Sequence, residues 1–390
     1  MKPAVDGASG TPGRRAGRPP QVDLLPEQRA LFLLARIPSQ FDEGAAELPS
    51  LLRDCNASHL VRLATEHLVY PLVAYNLKRS GEAFEAAANH ELQLLFRASH
   101  RNGLLLAHAL SDLLGKFDNA GIEAVCFKGP VFALTNYGDL RWRVYGDLDV
   151  FVSVADVTRS RDLLVGLGFA QLDPLPHQVG GRFRSYWPFG FPHGNAVGFS
   201  RNRGTESQVD VDLQWGAAPH FLKVPIEPAE MLARSRAGAL FDREVRTFDP
   251  ADTLMLMCLH GAKHAWTELR QVVDVAACLG GGADLDWDDE LARISEARLV
   301  RVCALAIRLA ETLLGASVPA PYRDRLVNEA EADVMDSLVS HVIAWRFGAS
   351  GQGAAIGRRR MAAVRYHLSS RDRLYHGLGS VVYHIRDALR

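Results

Sequence analysis

The chain has 390 residues, 48% of them hydrophobic and 23% charged, with a formal net charge of −1. This is ordinary globular usage, which excludes overall disorder, and the near-zero charge excludes a global field that would recruit nucleic acid or anionic lipid. The five cysteines, Cys55, Cys126, Cys258, Cys278 and Cys303, are scattered without C-x-x-C spacing, so they read as reduced core residues rather than a disulfide framework or zinc site. No apolar run reaches the roughly 20 residues that span a bilayer, and the N-terminus has no apolar segment of the signal-peptide kind. The expected location is therefore cytoplasmic, with no membrane span.

Residues 1–22 are rich in Gly, Pro and Arg with almost no apolar periodicity, and a disordered tail is expected there. Over 23–118 apolar residues recur at three and four, as in EQRALFLLARI and HLVRLATEHLVYPLVAYNL, which predicts an N-terminal helical domain. The period changes at Gly121. IEAVCF is a short β-prone run, Lys128-Gly129-Pro130 a tight turn, and VFALTNY a short helix closing at Gly138. RVYGDLDVFV reads as the next strand and VADVTRSRDLLVGLGFA as an amphipathic helix. Residues 173–204, full of Gly, Pro and aromatics, read as irregular strands and a mobile loop that could serve as a lid. QVDVDLQW alternates acid and apolar with period two and reads as a third strand of the same sheet, completing an α/β core over 119–248.

Helical periodicity returns in ADTLMLMCLHGAKHAWTELRQVVDVAACLG and DDELARISEARLVRVCALAIRLAETLLG, predicting a C-terminal helical domain over 249–390. Its last stretch, from Tyr366, is basic and amphipathic and is expected to pack back on the fold. The fold class that follows is α+β: a small mixed sheet with helices, flanked by N- and C-terminal helical bundles.

In a strand, residues two apart face the same side, so Asp147 and Asp149 project together, as do Asp210, Asp212 and Gln214. Adjacent carboxylates raise each other's proton affinity unless a cation neutralises them, and hard oxygen ligands on a rigid strand suit Mg²⁺. A solvated edge strand guarded by acids is the bland alternative. Lys128-Gly129, at a strand-to-helix turn upstream, adds unpaired helix N–H groups, a glycine that admits close approach, and a mobile positive charge, all of which favour phosphate.

With these parts in place, AVCFKGPVFALTNYGDLRWRVYGDLDVFV resembles the core of the polymerase-β-like nucleotidyltransferase superfamily. More closely, it resembles a bacterial group of uncharacterised nucleotidyltransferases that read L-K-G, a short helix, an arginine, then D-x-D and hydrophobic residues. VDVDLQWG is similar to that group's third-acid strand and CLHGAKHAWTELRQVVDVA to its C-terminal helix, so the resemblance covers about residues 24–315. It implies that Asp147 and Asp149 hold Mg²⁺ or Mn²⁺. Asp212 would be the third metal acid and general base, with Asp210 as fallback. Lys128 and Gly129 match the phosphate-side turn. Arg143 matches the arginine before the metal acids, where it would grip triphosphate oxygens or else neutralise Asp147 or Asp149. Two departures stand out: Pro130 replaces a serine common in the superfamily, and Gln214 replaces the group's usual histidine.

His260 and His264 lie four apart on a predicted helix with Lys263 between, either holding a metal or closing the cleft near nucleotide or acceptor. Asp274 on the same helical stretch reads as a structural partner for a Lys or Arg. The function expected is Mg²⁺-dependent transfer of a nucleoside monophosphate from an NTP, such as ATP, to an unidentified acceptor. A small molecule or protein is favoured over nucleic acid because no basic, aromatic-studded patch is present. The alternatives are a non-catalytic nucleotide-binding module of the same fold and a His-dependent metal hydrolase.

Overall fold

The computed structural model describes residues 22–41, 46–172, 175, 177–179, 182–184, 195–202, 208–218, 224–280, 285–348 and Tyr366. The expected N-terminal tail, most of the expected loop at 173–204 and the C-terminal amphipathic stretch beyond Tyr366 lie outside these residues.

Five helices come first: α1 (Pro26–Leu34), α2 (Leu48–Arg53), α3 (Ala57–Glu66), α4 (Tyr70–Ser80) and α5 (Ala86–Asn119). The Asn56 side chain starts α3 by accepting the His59 N–H at 2.9 Å. α5 runs unbroken because it contains no proline and its buried Leu106, Leu110, Leu113 and Phe117 keep to one stripe. Then follow β1 (Ala124–Val125), α6 (Gly129–Phe132) continued by a π turn at Ala133–Tyr137, β2 (Asp147–Val152), α7 (Val157–Gly166), β3 (Ala170–Gln171), β4 (His177–Val179), β5 (Arg182–Arg184), β6 (Ala196–Asn202), β7 (Gln208–Gln214), α8 (Pro228–Ala233), β8 (Arg236–Leu240) and β9 (Arg243–Thr247). The chain continues through α9 (Pro250–Lys263), α10 (Leu269–Gly280), α11 (Trp287–Glu296), α12 (Val300–Leu314), α13 (Ala320–Glu329) and α14 (Ala332–Val342).

Seven strands form one mixed sheet in the order β3-β6-β7-β2-β1-β9-β8, while β4 and β5 pair separately. The central strand β2 runs parallel to β7 and antiparallel to β1. Leu148, Val150 and Val152 of β2, with Val209, Val211 and Leu213 of β7, are buried on the face covered by α5 and α7. Each such side chain contributes about 1.5–3 kcal/mol by leaving water. A slip of one residue would drive Asp147 and Asp149 into that core instead, so the apolar set fixes the register. The acids consequently project from the opposite face, toward the C-terminal helices. There Phe151 packs with Phe127 and Phe248 at ring separations of 5.2–6.3 Å.

The two flanking helical sets share one core. Leu31 and Leu34 of α1 belong to the same apolar cluster as Val272 of α10, Leu305 and Leu309 of α12 and Val339 of α14. Tyr366, the first residue of the basic C-terminal stretch, is buried and donates to the Ala262 carbonyl at 3.3 Å. Sequence periodicity does not reveal β3, whose Ala170 reads as the end of the preceding helix, or the β8–β9 hairpin. RAGAL and REVRT carry few β-branched residues, and the turn uses Phe241 at φ 55° rather than an Asn-Gly pair. All five cysteines are free thiols. Among the described residues, no helix is long and apolar enough to cross a membrane.

Candidate active site

β2 and β7 pair with Asp147 opposite Asp210 and Asp149 opposite Asp212. Asp149 is buried, Asp212 half-buried, and Asp147 exposed at the strand's beginning. These three carboxylates line a cleft of about 370 Å³ between the sheet and the α9–α10 pair. Asp149 Oδ1 accepts from Lys128 Nζ at 3.3 Å and from Gln214 Nε2 at 2.5 Å. Gln214, in place of the expected histidine, thus steadies the central acid directly. Asp210 turns elsewhere: its oxygens accept from Gln208 Nε2 at 2.9 and 3.0 Å, and it does not line the cleft. Of the two candidates for third acid, the cleft takes Asp212.

Lys128 reaches Asp149 because the chain reverses sharply behind it. Gly129, at φ 57°, takes a left-handed conformation that costs other residues energy, and then Pro130 enters α6 with its fixed φ. A side chain at Gly129 would also contact the Asp147 carbonyl at 3.5 Å, so the turn lies directly against the acid strand.

The opposite wall is a helix broken in two. The stretch from Ala251 to Gly280 reads as continuous helix in sequence, yet α9 stops at Lys263 and α10 begins at Leu269. Between them Ala265 and Trp266 both adopt positive φ, 49° and 56°. The fully buried Trp266 indole folds back over Gly261, where a Cβ would lie 2.2 Å from the ring. His67, from the N-terminal helices, staples the exit. Leu269 N–H donates to its Nδ1 at 3.4 Å, and Arg270 N–H to its carbonyl at 3.2 Å. Burial lowers the His67 pKa, in keeping with a neutral ring that accepts. The break brings His260, Lys263 and His264 into the cleft, with the two imidazoles edge to face at 4.7 Å.

The electrostatics follow from this crowding. Lost hydration, then the charges of Asp149 and Asp147, push Asp212 up to about 6, against the pull of Lys128 and Lys263. Asp147 is raised as well: although the residue is exposed overall at the strand's start, it lines the crowded cleft, where lost hydration acts first and Asp149 second. Burial lowers Lys263, helped by Lys128 and opposed by Asp212 and Asp149. His260 is lowered well below its ordinary value by burial and by the cations Lys128, His264, Arg270 and Lys263, so its ring is neutral at pH 7.

Arg143 requires a correction. It neither faces the cleft nor pairs with Asp147 or Asp149. Its Nε and Nη2 fork Asp274 of α10 at 2.8 and 2.9 Å, and the Tyr137 hydroxyl donates to the same carboxylate at 2.6 Å. Burial alone would raise Asp274, but Arg143, Arg270 and Tyr137 outweigh it and hold the acid below its usual range. The approach to β2 turns Arg143 inward, where only a carboxylate can compensate its charge. Arg270, which periodicity gave no reason to single out, lines the cleft instead. Its position depends on the break after α9, and nothing in local spacing announces that break.

Mg²⁺ commonly binds through one or two carboxylates and completes its shell with water and phosphate oxygens. Asp147 and Asp149 offer hard oxygens on one strand face, and the raised pKa of Asp147 and Asp212 reflects lost hydration first and then the repulsion among the clustered acids, which Lys128 only partly offsets. The donor set fits such a cation. Among the described residues there is no group of three or more His, Cys, Asp or Glu side chains arranged as an all-protein metal cage.

A family model described as uncharacterised nucleotidyltransferase matches residues 54–315. No curated protein matches the chain. Among solved structures, an antigenic nucleotidyltransferase-like protein from Paracoccidioides brasiliensis aligns at a TM-score of 0.30 and 17% identity, over 55% of this chain and 93% of that one.

Proposed function

The chain belongs to the uncharacterised nucleotidyltransferase family, and from that premise we propose that its cleft binds a nucleoside triphosphate with Mg²⁺ or Mn²⁺ and transfers the nucleoside monophosphate to an acceptor hydroxyl. One observation carries this reading: Asp147, Asp149 and Asp212 converge from two parallel strands on a cleft whose other walls supply Lys128 and Lys263.

In this reading Asp147 and Asp149 hold the cation, which when bound supplies the positive charge that neutralises the phosphates. Lys128, which contacts Asp149, and Lys263 would orient the phosphate chain. Asp212, titrating at about 6, is ionised at neutral pH yet close enough to it to accept the acceptor's hydroxyl proton on Oδ. The new bond joins the acceptor oxygen to the α-phosphorus, the α–β bridge breaks, and pyrophosphate leaves. His260, neutral, and His264 stand on the acceptor side as hydrogen-bonding groups. A small molecule or a protein side chain suits a chain of net charge −1 better than RNA does.

The test is nucleotide binding and pyrophosphate release by the purified protein with and without Mg²⁺. Asp147→Asn and Asp149→Asn are each expected to remove the Mg²⁺-dependent part of both. Affinity that is unaltered in the two variants would refute the assignment. A non-catalytic nucleotide-binding module is the second reading, favoured by Pro130 in place of a hydroxyl and by Lys128 and Gln214 already occupying Asp149. It calls for tight Mg²⁺-dependent binding with no pyrophosphate released for any NTP in the presence of cell extract. The hydrolase reading lacks support, since a catalytic zinc takes three protein ligands and no such trio exists around His260 and His264 among the described residues.

A further inference from the structure

The cleft sets three cationic side chains, Lys128, Lys263 and Arg270, against four carboxylates, Asp147, Asp149, Asp212 and Glu268. A polyanion entering this cleft meets more carboxylates than cations. Three of the acids have a place on the strands. Glu268 does not, and what it touches is Arg270: Arg270 Nε and Nη2 lie 3.3 and 2.7 Å from Glu268 Oε2.

The two ends of this pair are mounted differently. Arg270 is pinned. Its N–H donates to the His67 carbonyl at 3.2 Å, and its Nη1 donates to the Val144 carbonyl at 3.2 Å, just before the acid strand begins. Glu268 sits in the turn before α10, its carboxylate accepts a hydrogen bond from no other group among the described residues, and the Arg270 and Glu268 side chains keep contact with solvent, 17% and 28% exposed. The carboxylate can swing into water without stranding a buried charge, whereas the Arg143–Asp274 pair, at 2% and 1%, has no such freedom.

We propose that Arg270 is a phosphate-binding residue of the cleft and that Glu268 is its built-in competitor, holding the Nε and Nη2 donors on one carboxylate oxygen until a phosphate group takes that place. The proposal rests on the nucleotide reading of the cleft. A phosphate can accept from the same two guanidinium donors that now converge on Glu268 Oε2, and it has further oxygens to engage them in parallel, so the exchange breaks and remakes hydrogen bonds only. Departure of the Glu268 charge also removes repulsion toward the incoming phosphates.

The experiment is calorimetric titration with inorganic tripolyphosphate in the presence of EDTA, which separates Arg270 and Glu268 from the metal acids. Glu268→Gln keeps the shape but not the charge, and it is expected to tighten binding roughly three- to ten-fold. Arg270→Gln is expected to weaken binding by at least as much and to abolish the gain in the double variant. Arg270→Lys keeps the charge without the fork and should fall between wild type and Arg270→Gln, which covers the case in which Arg270→Gln does not fold. Binding that is unchanged or weaker in Glu268→Gln overturns the competitor role, and wild-type affinity in Arg270→Lys overturns the fork. If tripolyphosphate behaves as expected while Asp147→Asn leaves Mg²⁺-dependent nucleotide binding intact, the metal assignment fails and the present one stands. No detectable tripolyphosphate binding by either wild type or Glu268→Gln overturns the proposal outright.

Discussion

The Arg143 guanidinium grips Asp274 across the junction between the sheet and the C-terminal helices, with Nε and Nη2 at 2.8 and 2.9 Å from the two carboxylate oxygens. One partner stands four residues before Asp147, and the other lies one helical turn beyond Arg270. The pair therefore ties the two cleft walls together although neither residue lines the cleft.

Removing one member of this pair leaves a buried charge uncompensated. Asp274→Asn is expected to destabilise the protein by about 3–5 kcal/mol in urea unfolding. Replacing both members, Arg143→Met with Asp274→Leu, should cost much less than the two single changes added together. A double variant as unstable as that sum would show that the pair does not act as a unit.

Gly261 is required by a close approach rather than by its backbone angles. A methyl group there would lie 2.2 Å from the Trp266 ring, so Gly261→Ala must displace either the indole or α9. The expected cost is about 2 kcal/mol or more, with a lowered denaturation midpoint and weakened nucleotide binding, because the same turn positions Lys263 and Arg270. Shortening the ring in Gly261→Ala/Trp266→Leu should return part of the lost stability relative to Trp266→Leu alone.

Asp212 gives a pH-dependent signature. Its folded-state pKa of about 6 lies above the ordinary 3.8, so between these values the folded protein keeps a proton that the unfolded chain releases. Stability falls as pH rises through that window, and the loss is complete above about pH 6. Asp212→Asn should thus stabilise the metal-free protein by about 1–3 kcal/mol at pH 8 and by almost nothing near pH 4. Urea midpoints of variant and wild type compared at each pH isolate this group from His260, whose lowered pKa acts in the opposite direction. A stabilisation of equal size at both pH values would contradict the cause given for the shift.

Much of the site was legible because its parts are local. Asp147 and Asp149 share a face through the two-residue strand period, and Lys128-Gly129-Pro130 marks its turn by residue types that few other conformations want. The resemblance already puts Asp212 ahead of Asp210, and the folded chain separates them further, since Asp212 lines the cleft while Asp210 accepts from Gln208. The β8–β9 hairpin went unread because Ala237, Gly238 and Ala239 carry no strand preference, and pairing with β1 supplies what propensity does not.

The amino-acid sequence by itself determined the succession of helical, α/β and helical segments and the face of β2 that carries the acids. Periodicity and turn chemistry act between near neighbours, and buried apolar positions leave one register. Tertiary structure decided which arginine meets the cleft. Arg143 and Arg270 are both single cations beside helices or strands in sequence. Their fates diverge because Asp274 waits, buried, for the first, while the break at Ala265 and Trp266, stapled by His67, turns the second toward the acids. Long-range partners of that kind have no local period, and only the folded chain brings them together.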